Sequence, residues 1–534
     1  MEFSRFTDKK HNKFYLLLGC FFLFSFYFSL HYYQIFYKGY PLEVGSTNLS
    51  LARNLYFQGR WSVEDNNNIL LSSDLISQKG VKANDIGNKL TPIFYRYIFT
   101  LFGYNANLPV LASLFLWSIS AVFIFLILYK LFSFPAAIFG FILDSFLPWF
   151  WVLSTYAGFY ELAIFFFIGG LFLYFSNKNE KILLLAGIFF SFAILARNAF
   201  IISVFAILLF EFYQKRFSKK FIYLLLPILI IVGSSFIFDY INQSNVYFIN
   251  DKNSYRIYSH LFPDPYTFHF NQAEYLNELK NNSAGDLADF LEMFGQKISW
   301  RQKLFTYYYS FQYYVKNFFR LPIFGGPFIL FLMILGGYHL YFKNKKLLQL
   351  CLLWLLTWFI FLFFLRSSNY DHFAEIRFIV VALSAFGFYQ LSLLIGNHWE
   401  NKNKFTKSIT VILVGLLLLQ TLLVTKYVFG RQYDGETTMV VAYPMIKAIN
   451  AGNIDSINDV IAVGKHPTIA GVLNYYTNKN IIYFSEETIN KLIKNDKLSE
   501  AFKIYGVSRF IGYGNTLSNS INEATGISEI DYAR

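Results

Sequence analysis

The ionisable residues inside or beside the long apolar runs of this sequence are the ones whose types and places suit acid–base or phosphate chemistry. Glu43 follows the first run, Glu64 and Asp65 lie farther along the same polar loop, Glu161 opens a later run, and Arg197 stands between two others. Arg366, Asp371, His372, Glu375 and Arg377 crowd one short connection, whereas Asp144 falls inside a run. A carboxylate can take a proton from an attacking hydroxyl or amine. An arginine binds phosphate through two parallel charge-assisted hydrogen bonds. Because charge at the edge of lipid is costly and usually kept for function, the combination suits transfer chemistry on a lipid-anchored phosphate. His372 and Glu375 are three residues apart and could share a divalent metal, but no convincing third ligand accompanies them. The expectation is therefore a site with no metal and no cofactor.

The elements that must position these residues are membrane helices. The chain has 534 residues, of which 55% are hydrophobic and 66 are Phe, gathered into long runs instead of spread at the period of a soluble fold. A bilayer core takes roughly 20 apolar residues per helix. Eleven runs qualify as spans: 14–36, 108–129, 134–153, 159–175, 182–196, 199–212, 221–238, 321–342, 347–365, 378–395 and 408–424. The first has a basic head but is too long for a signal peptide and reads as an uncleaved anchor. Lys130, Lys178 with Lys181, QKRFSKK from Gln214, KNKK from Lys343, and Lys402, Lys404 and Lys407 occupy alternate connections, which places those connections and the N-terminus in the cytoplasm. The net charge of +13 is thus a topology signal, and nucleic acid is not an expected partner. Cys20 and Cys351 both lie in apolar runs, which argues against a disulfide framework.

This threading leaves three long segments outside: 37–107, 239–320 and 426–534. NLSLARNLYFQ from Asn48 and FTYYYSFQYYVKNFF from Phe305 read as interfacial helices lying along the membrane surface. In the tail, VIAVG from Val460, NIIYF from Asn480 and SRFIGYG from Ser508 alternate with helix-like pieces, as in a small extracytoplasmic α/β domain. The expected architecture is mostly α: a polytopic domain over 1–425 in the cytoplasmic (inner) membrane, followed by that domain over 426–534. No Gly-rich nucleotide motif and no cytoplasmic paired-aspartate motif is present, which favours a lipid-linked donor over a nucleotide sugar.

The order of an outer acidic residue, NLSLARNLYFQGRWS from Asn48 and LTPIFYRYIFTLFGYN from Leu90 resembles the first outer loop of GT-C superfamily glycosyltransferases. It is most similar to the bacterial branch with protein O-mannosyltransferases, lipid A aminoarabinose transferases and rhizobial galacturonosyltransferases. LDSFLPWFWVLSTYAGFYELAIFF from Leu143, GIFFSFAILARNAF from Gly187 and HFAEIRFIVVALSAFGFY from His372 resemble later segments of that family, and the likeness spans roughly 10–425. The resemblance implies inverting transfer of a sugar from a polyprenyl phosphate carrier to a lipid, glycan or protein acceptor at the outer face. It also implies Glu43 as the general base, where relatives more often carry Asp, with Glu64 and Asp65 as competing candidates.

Arg197 and Arg377 are the expected ligands of the carrier phosphate, with His372, Arg366 and Glu161 as further substrate-binding candidates. Each has a plainer reading. Arg197 can reach lipid headgroups from a helix end, Arg377 can form a salt bridge to Glu375 or Asp371, and Asp144 reads as a neutral or hydrogen-bonded interior carboxyl. Two other functional classes fit an outer-face site less well: an O-antigen ligase or polymerase, and a transporter or flippase of lipid-linked sugars. A transporter would hold its ionisable residues near the midplane.

Overall fold

A computed structural model describes residues 10–38, 46–59, 90–158, 160–176, 179–243, 327–365, 370–396, 439–452, 459–464, 467–477, 479–484, 486–494 and 496–531, together with 312, 315, 316, 415 and 419. Glu43, Glu64, Asp65 and Arg366 lie outside the described residues, as do almost all of 305–319 and of the run 408–424.

Among the described residues up to 396 are α1 (Lys10–Lys38), α2 (Ser46–Gln58), α3 (Leu90–Phe102), α4 (Leu108–Leu131), α5 (Phe134–Phe146), α6 (Pro148–Thr155), α7 (Glu161–Ser176), α8 (Glu180–Ala196), α9 (Phe200–Gln214), α10 (Lys219–Gln243), α11 (Pro327–Lys343), α12 (Lys345–Leu365), a 3-10 turn (Tyr370–Ile376) and α13 (Arg377–Gly396). Five of the described helices contain stretches long and apolar enough to cross a membrane: Tyr15–Tyr33, Leu108–Leu131, Lys219–Ile237, Lys345–Leu362 and His372–Leu394. The chain is an integral membrane protein built mostly of helix. Large side chains such as Phe21, Phe22, Leu229 and Leu352 remain exposed on these helices, as a lipid-facing surface requires.

Two expectations need correction here. The run 134–153 was expected to cross as one helix, but it breaks in two. Leu147 is extended (φ −65°, ψ 119°) because a residue before proline is forced out of the helical region, and Pro148 then opens α6 at a position where its missing N–H costs nothing. The segment from Asn48 was expected on the membrane surface. Instead α2 is buried from Asn48 to Leu55, wedged between α3 and a helix of the C-terminal unit.

Helix α11 packs on α13, α7 on α8, α8 on α10, and α4 on both α5 and α7. The α11–α13 seam is closed by two glycines facing opposite backbones. A Cβ on Gly336 would lie 2.0 Å from the Leu383 carbonyl oxygen, and one on Gly387 would lie 1.9 Å from that of Leu332. Small residues let helix backbones approach where lipid gives no hydrophobic drive to pack.

The C-terminal unit comprises α14 (Met439–Ala451), β1 (Val460–Val463), α15 (Pro467–Thr477), β2 (Asn480–Tyr483), α16 (Glu486–Lys494), α17 (Leu498–Tyr505), β3 (Val507–Ile511) and α18 (Asn515–Thr525). Its strands form a parallel sheet of order β2-β1-β3, and they coincide with the three apolar pieces of the tail. Alternate residues of β1 face opposite ways: Ile461 and Val463 pack with Met445, Ile449 and Leu473, whereas Val460 and Ala462 pack with Phe502, Phe510 and Ile521. Parallel strands covered on both faces read as continuous apolar runs, which is why VIAV stands out.

Replacing Gly387 by Val is expected to lower the melting temperature in detergent by an amount equivalent to about 3 kcal/mol. Gly233→Ala, where nothing lies within 4 Å of the added carbon, should leave melting unchanged or raise it slightly, since alanine favours a helix interior over glycine. Equal behaviour of the two variants in a thermal unfolding assay would rule out the close seam.

Candidate functional site

The hairpins of the bundle carry polar groups to its two ends. At one end Lys130 donates to the Ser176 carbonyl, Lys220 pairs with Glu211 at 2.6 Å, and Lys343 reaches Gln390 at 3.2 Å. At the other end three breaks in the helices meet: the turn after α6, the turn at Arg197 between α8 and α9, and the 3-10 turn before α13. Arg197 is the extended C-cap of α8 (φ −153°, ψ 109°), so its side chain leaves the helix where the backbone turns.

The 3-10 turn brings His372 and Glu375 together because side chains three apart eclipse in that geometry. Nδ1 of His372 lies 2.9 Å from Oε1 of Glu375, and both residues are buried. Trp358 donates to the His372 carbonyl at 2.9 Å, and Ser203 donates to that of Glu375 at 3.3 Å while accepting from Trp354 at 2.9 Å. From the turn after α6, the Tyr160 hydroxyl lies 3.5 Å from Oε1 of Glu375 and 3.5 Å from Nη2 of Arg197. The Arg197 guanidinium sits 4.7 Å from the centre of the Tyr160 ring, a cation–π distance. Tyr160 thereby joins Arg197 to the His372–Glu375 pair. Among the described residues, Nε2 of His372 and Oε2 of Glu375 have no hydrogen-bond partner.

Arg377 behaves differently. It was expected to salt-bridge Glu375 or Asp371, or to hold a phosphate; instead its Nε and Nη2 grip the two oxygens of Asp144 at 2.6 and 2.5 Å. The guanidinium is 1% exposed, lies 4.2 Å from the Trp117 ring centre, and approaches the Tyr27 hydroxyl at 3.4 Å. A cation so engaged is a structural partner of Asp144, with only Nη1 lacking a partner among the described residues. Asp144, read as an interior carboxyl, is accordingly one half of a buried ion pair.

Glu161 was expected near substrate, yet it is buried and holds protein groups. It accepts from the Gly158 N–H at 2.8 Å and from the Tyr95 hydroxyl. Burial, then the adjacent Glu161 charge, pushes the Tyr95 phenol well above the usual tyrosine range, so it stays a donor and ties α3 to α7.

Sequence reading missed Tyr160, Tyr27 and His31. The His31 ring is stacked between Tyr27 at 4.1 Å and Trp151 at 4.9 Å, with Nδ1 2.5 Å from the Ser154 hydroxyl and Nε2 3.1 Å from the Ser145 carbonyl. A histidine inside the apolar run 14–36 was a signal of the same kind as Asp144. Tyrosines gave none, being too numerous at 40.

No protein-family model matches the sequence, and no curated protein matches it significantly. Solved structures do. The oligosaccharyltransferase of Archaeoglobus fulgidus in the apo form superposes with a TM-score of 0.56 at 11% identity, over 91% of this chain and 69% of that one. The archaeal oligosaccharyltransferase AglB from Archaeoglobus fulgidus, in complex with an inhibitory peptide and a dolichol-phosphate, gives 0.52 at 12% identity over 94% and 69%. ArnT from Cupriavidus metallidurans in the apo state gives 0.51 at 11% identity, over 96% of this chain and 90% of that one. The chain has the GT-C fold. In this GT-C bundle the Arg197–Tyr160–Glu375–His372 group and the Asp144–Arg377 pair sit at the same end, the first joining three turns and the second joining two helices.

Breaking a buried ion pair costs more than replacing it by apolar groups, because the survivor is left without its counter-charge. Asp144→Asn is expected to destabilise the protein by roughly 3–5 kcal/mol, and Asp144→Leu with Arg377→Met to recover most of that loss. Thermal unfolding in detergent measures both. A wild-type melt for Asp144→Asn would remove the pair from the framework.

Proposed function

We propose that this protein is a membrane glycosyltransferase that moves a sugar from a polyprenyl phosphate carrier to a lipid, glycan or protein acceptor at the outer face of the cytoplasmic membrane. The observation that carries this reading is the meeting of Arg197, Tyr160, Glu375 and His372 at one end of a GT-C bundle whose other end bears the lysines. The positive-inside rule assigns the lysine-bearing end to the cytoplasm. The site end then faces outward, with α2, α3 and the C-terminal unit on the same side.

In this mechanism the isoprenoid chain lies between lipid-facing helices and Arg197 binds the carrier phosphate through two parallel N–H donors. Arg377, held by Asp144, fixes the start of α13 in place of touching phosphate. Glu375 and His372 offer hydrogen-bonding atoms to the bound donor. Glu43, or alternatively Asp65 or Glu64, takes the proton from the acceptor hydroxyl or amine as it attacks the anomeric carbon from the face opposite the phosphate. The bond from anomeric carbon to phosphate oxygen breaks, the configuration inverts, and the lipid phosphate leaves with its developing charge stabilised by Arg197. Neither a metal nor another cofactor is needed for these steps.

Purified protein incubated with a labelled polyprenyl phosphate sugar and an acceptor extract should release the lipid phosphate. Arg197→Ala should slow that release by about 100-fold or more, and Glu43→Gln by a similar factor, both with normal membrane insertion. If Glu43→Gln keeps full activity and Asp65→Asn loses it, the base is Asp65. Wild-type rates in Arg197→Ala would exclude the phosphate role.

A further inference from the structure

The C-terminal α/β unit has no part in the chemistry above, yet buried contacts run from it to the arginine of the site. Its helix α15 ends against α2. Nη1 of Arg53, a residue 1% exposed, donates to the carbonyls of Asn474 at 2.8 Å and Tyr475 at 3.1 Å. These carbonyls belong to the last turn of α15, where the helix leaves acceptors without internal donors and carries partial negative charge. Beside this contact the Ser50 hydroxyl donates to the Asn474 side chain at 3.0 Å, and the Tyr475 hydroxyl donates to the Ala106 carbonyl at 3.1 Å. Leu49, Ala52, Tyr95, Phe99, Ala157 and Tyr475 close over them as one apolar cluster.

From α2 the contact continues inward. Nδ2 of Asn48 donates to the Gly158 carbonyl at 2.7 Å, and both atoms are buried. Gly158 has φ +82°, a conformation that side chains resist, so the direction of this carbonyl is a specific feature of the turn. Two residues later the same turn presents Tyr160, whose ring and hydroxyl contact Arg197. Ser113 anchors the start of the turn separately, donating to the carbonyls of Ser154 at 3.0 Å and Tyr156 at 2.9 Å. Loss of the α2 contact therefore frees the Gly158 carbonyl while the Ser113 bonds and the Glu161 bond to the Gly158 N–H still hold the turn.

We infer that the C-terminal unit is a clamp that sets the Tyr160–Arg197 geometry through α2, with Arg53 and Asn48 as its positioning residues. The inference rests on the reading of Arg197 as the phosphate ligand. Arg53 joins α15 to α2, Asn48 joins α2 to the Gly158 turn, and that turn holds the tyrosine on which the guanidinium rests.

The test titrates full-length protein in lipid nanodiscs with a radiolabelled polyprenyl monophosphate. Asn48→Ala and Arg53→Ala should each weaken binding about fivefold, with melting temperatures close to wild type. In an Arg197→Ala background, Asn48→Ala should add less than about twofold, because coupled residues are not additive. The same fold-loss in both backgrounds means general loosening and overturns the clamp. Should Arg53→Ala fail to fold, Ser50→Ala and Tyr475→Phe each remove one hydrogen bond and should weaken binding about twofold; unchanged binding in both overturns it too. A wild-type protein that does not bind, or Arg197→Ala binding normally, defeats the phosphate reading itself and the clamp with it.

Discussion

Asp144 and Arg377 are both placed where their own helices disfavour them. The carboxylate stands in the last turn of α5, where the helix dipole is negative, and the guanidinium stands at the first residue of α13, where it is positive. Neither is in water, since their side chains are 0% and 1% exposed. Each is tolerable only because the other is there, with two aligned hydrogen bonds and an aromatic face completing the match. This pair locks α5 to α13 and draws in Tyr27 from α1. The 3-10 turn bearing His372 and Glu375 runs directly into Arg377, so its position follows from the same constraint. The glycine seam between α11 and α13 then fixes the second side of α13.

A division of labour between the two arginines follows. Both sit at helix ends on the same side of the bundle, and by sequence they were equivalent candidates for phosphate. Arg377 is enclosed and paired, whereas Arg197 caps α8 at an incompletely buried position against Tyr160. Charge pairing thus occupies Arg377, which leaves Arg197 as the arginine proposed above to bind the carrier phosphate. Glu161 is spent in a comparable way, holding Tyr95 and the Gly158 turn instead of facing an open surface. Among the described residues, Nη1 of Arg377, Nε2 of His372 and Oε2 of Glu375 are the atoms of these groups that keep no hydrogen-bond partner.

The soluble-looking tail is part of this organisation. Its sheet is an ordinary parallel α/β layer, but α15 is applied to α2 by a buried arginine and a shared apolar cluster. Helix α2 is short and buried around its whole circumference from Asn48 to Leu55, so it needs partners on every side. Helix α3 supplies one side and α15 another.

Composition and run length alone determined that the chain is a helical membrane protein, since lipid admits only long apolar segments with internally satisfied backbones. The alternation of lysine clusters separated the two ends, and the break at Pro148 could have been read from the proline itself. The three short apolar strands were equally legible, because strands covered on both faces are local runs. What the sequence left open was partnership. Arg377 meets Asp144 from 233 residues away, Arg53 meets Asn474 from 421, and Tyr160 meets Glu375 from 215. No local pattern encodes such pairs; the tertiary structure decided them, because only packing shows which buried charge already has its counter-charge and which polar atom has a partner.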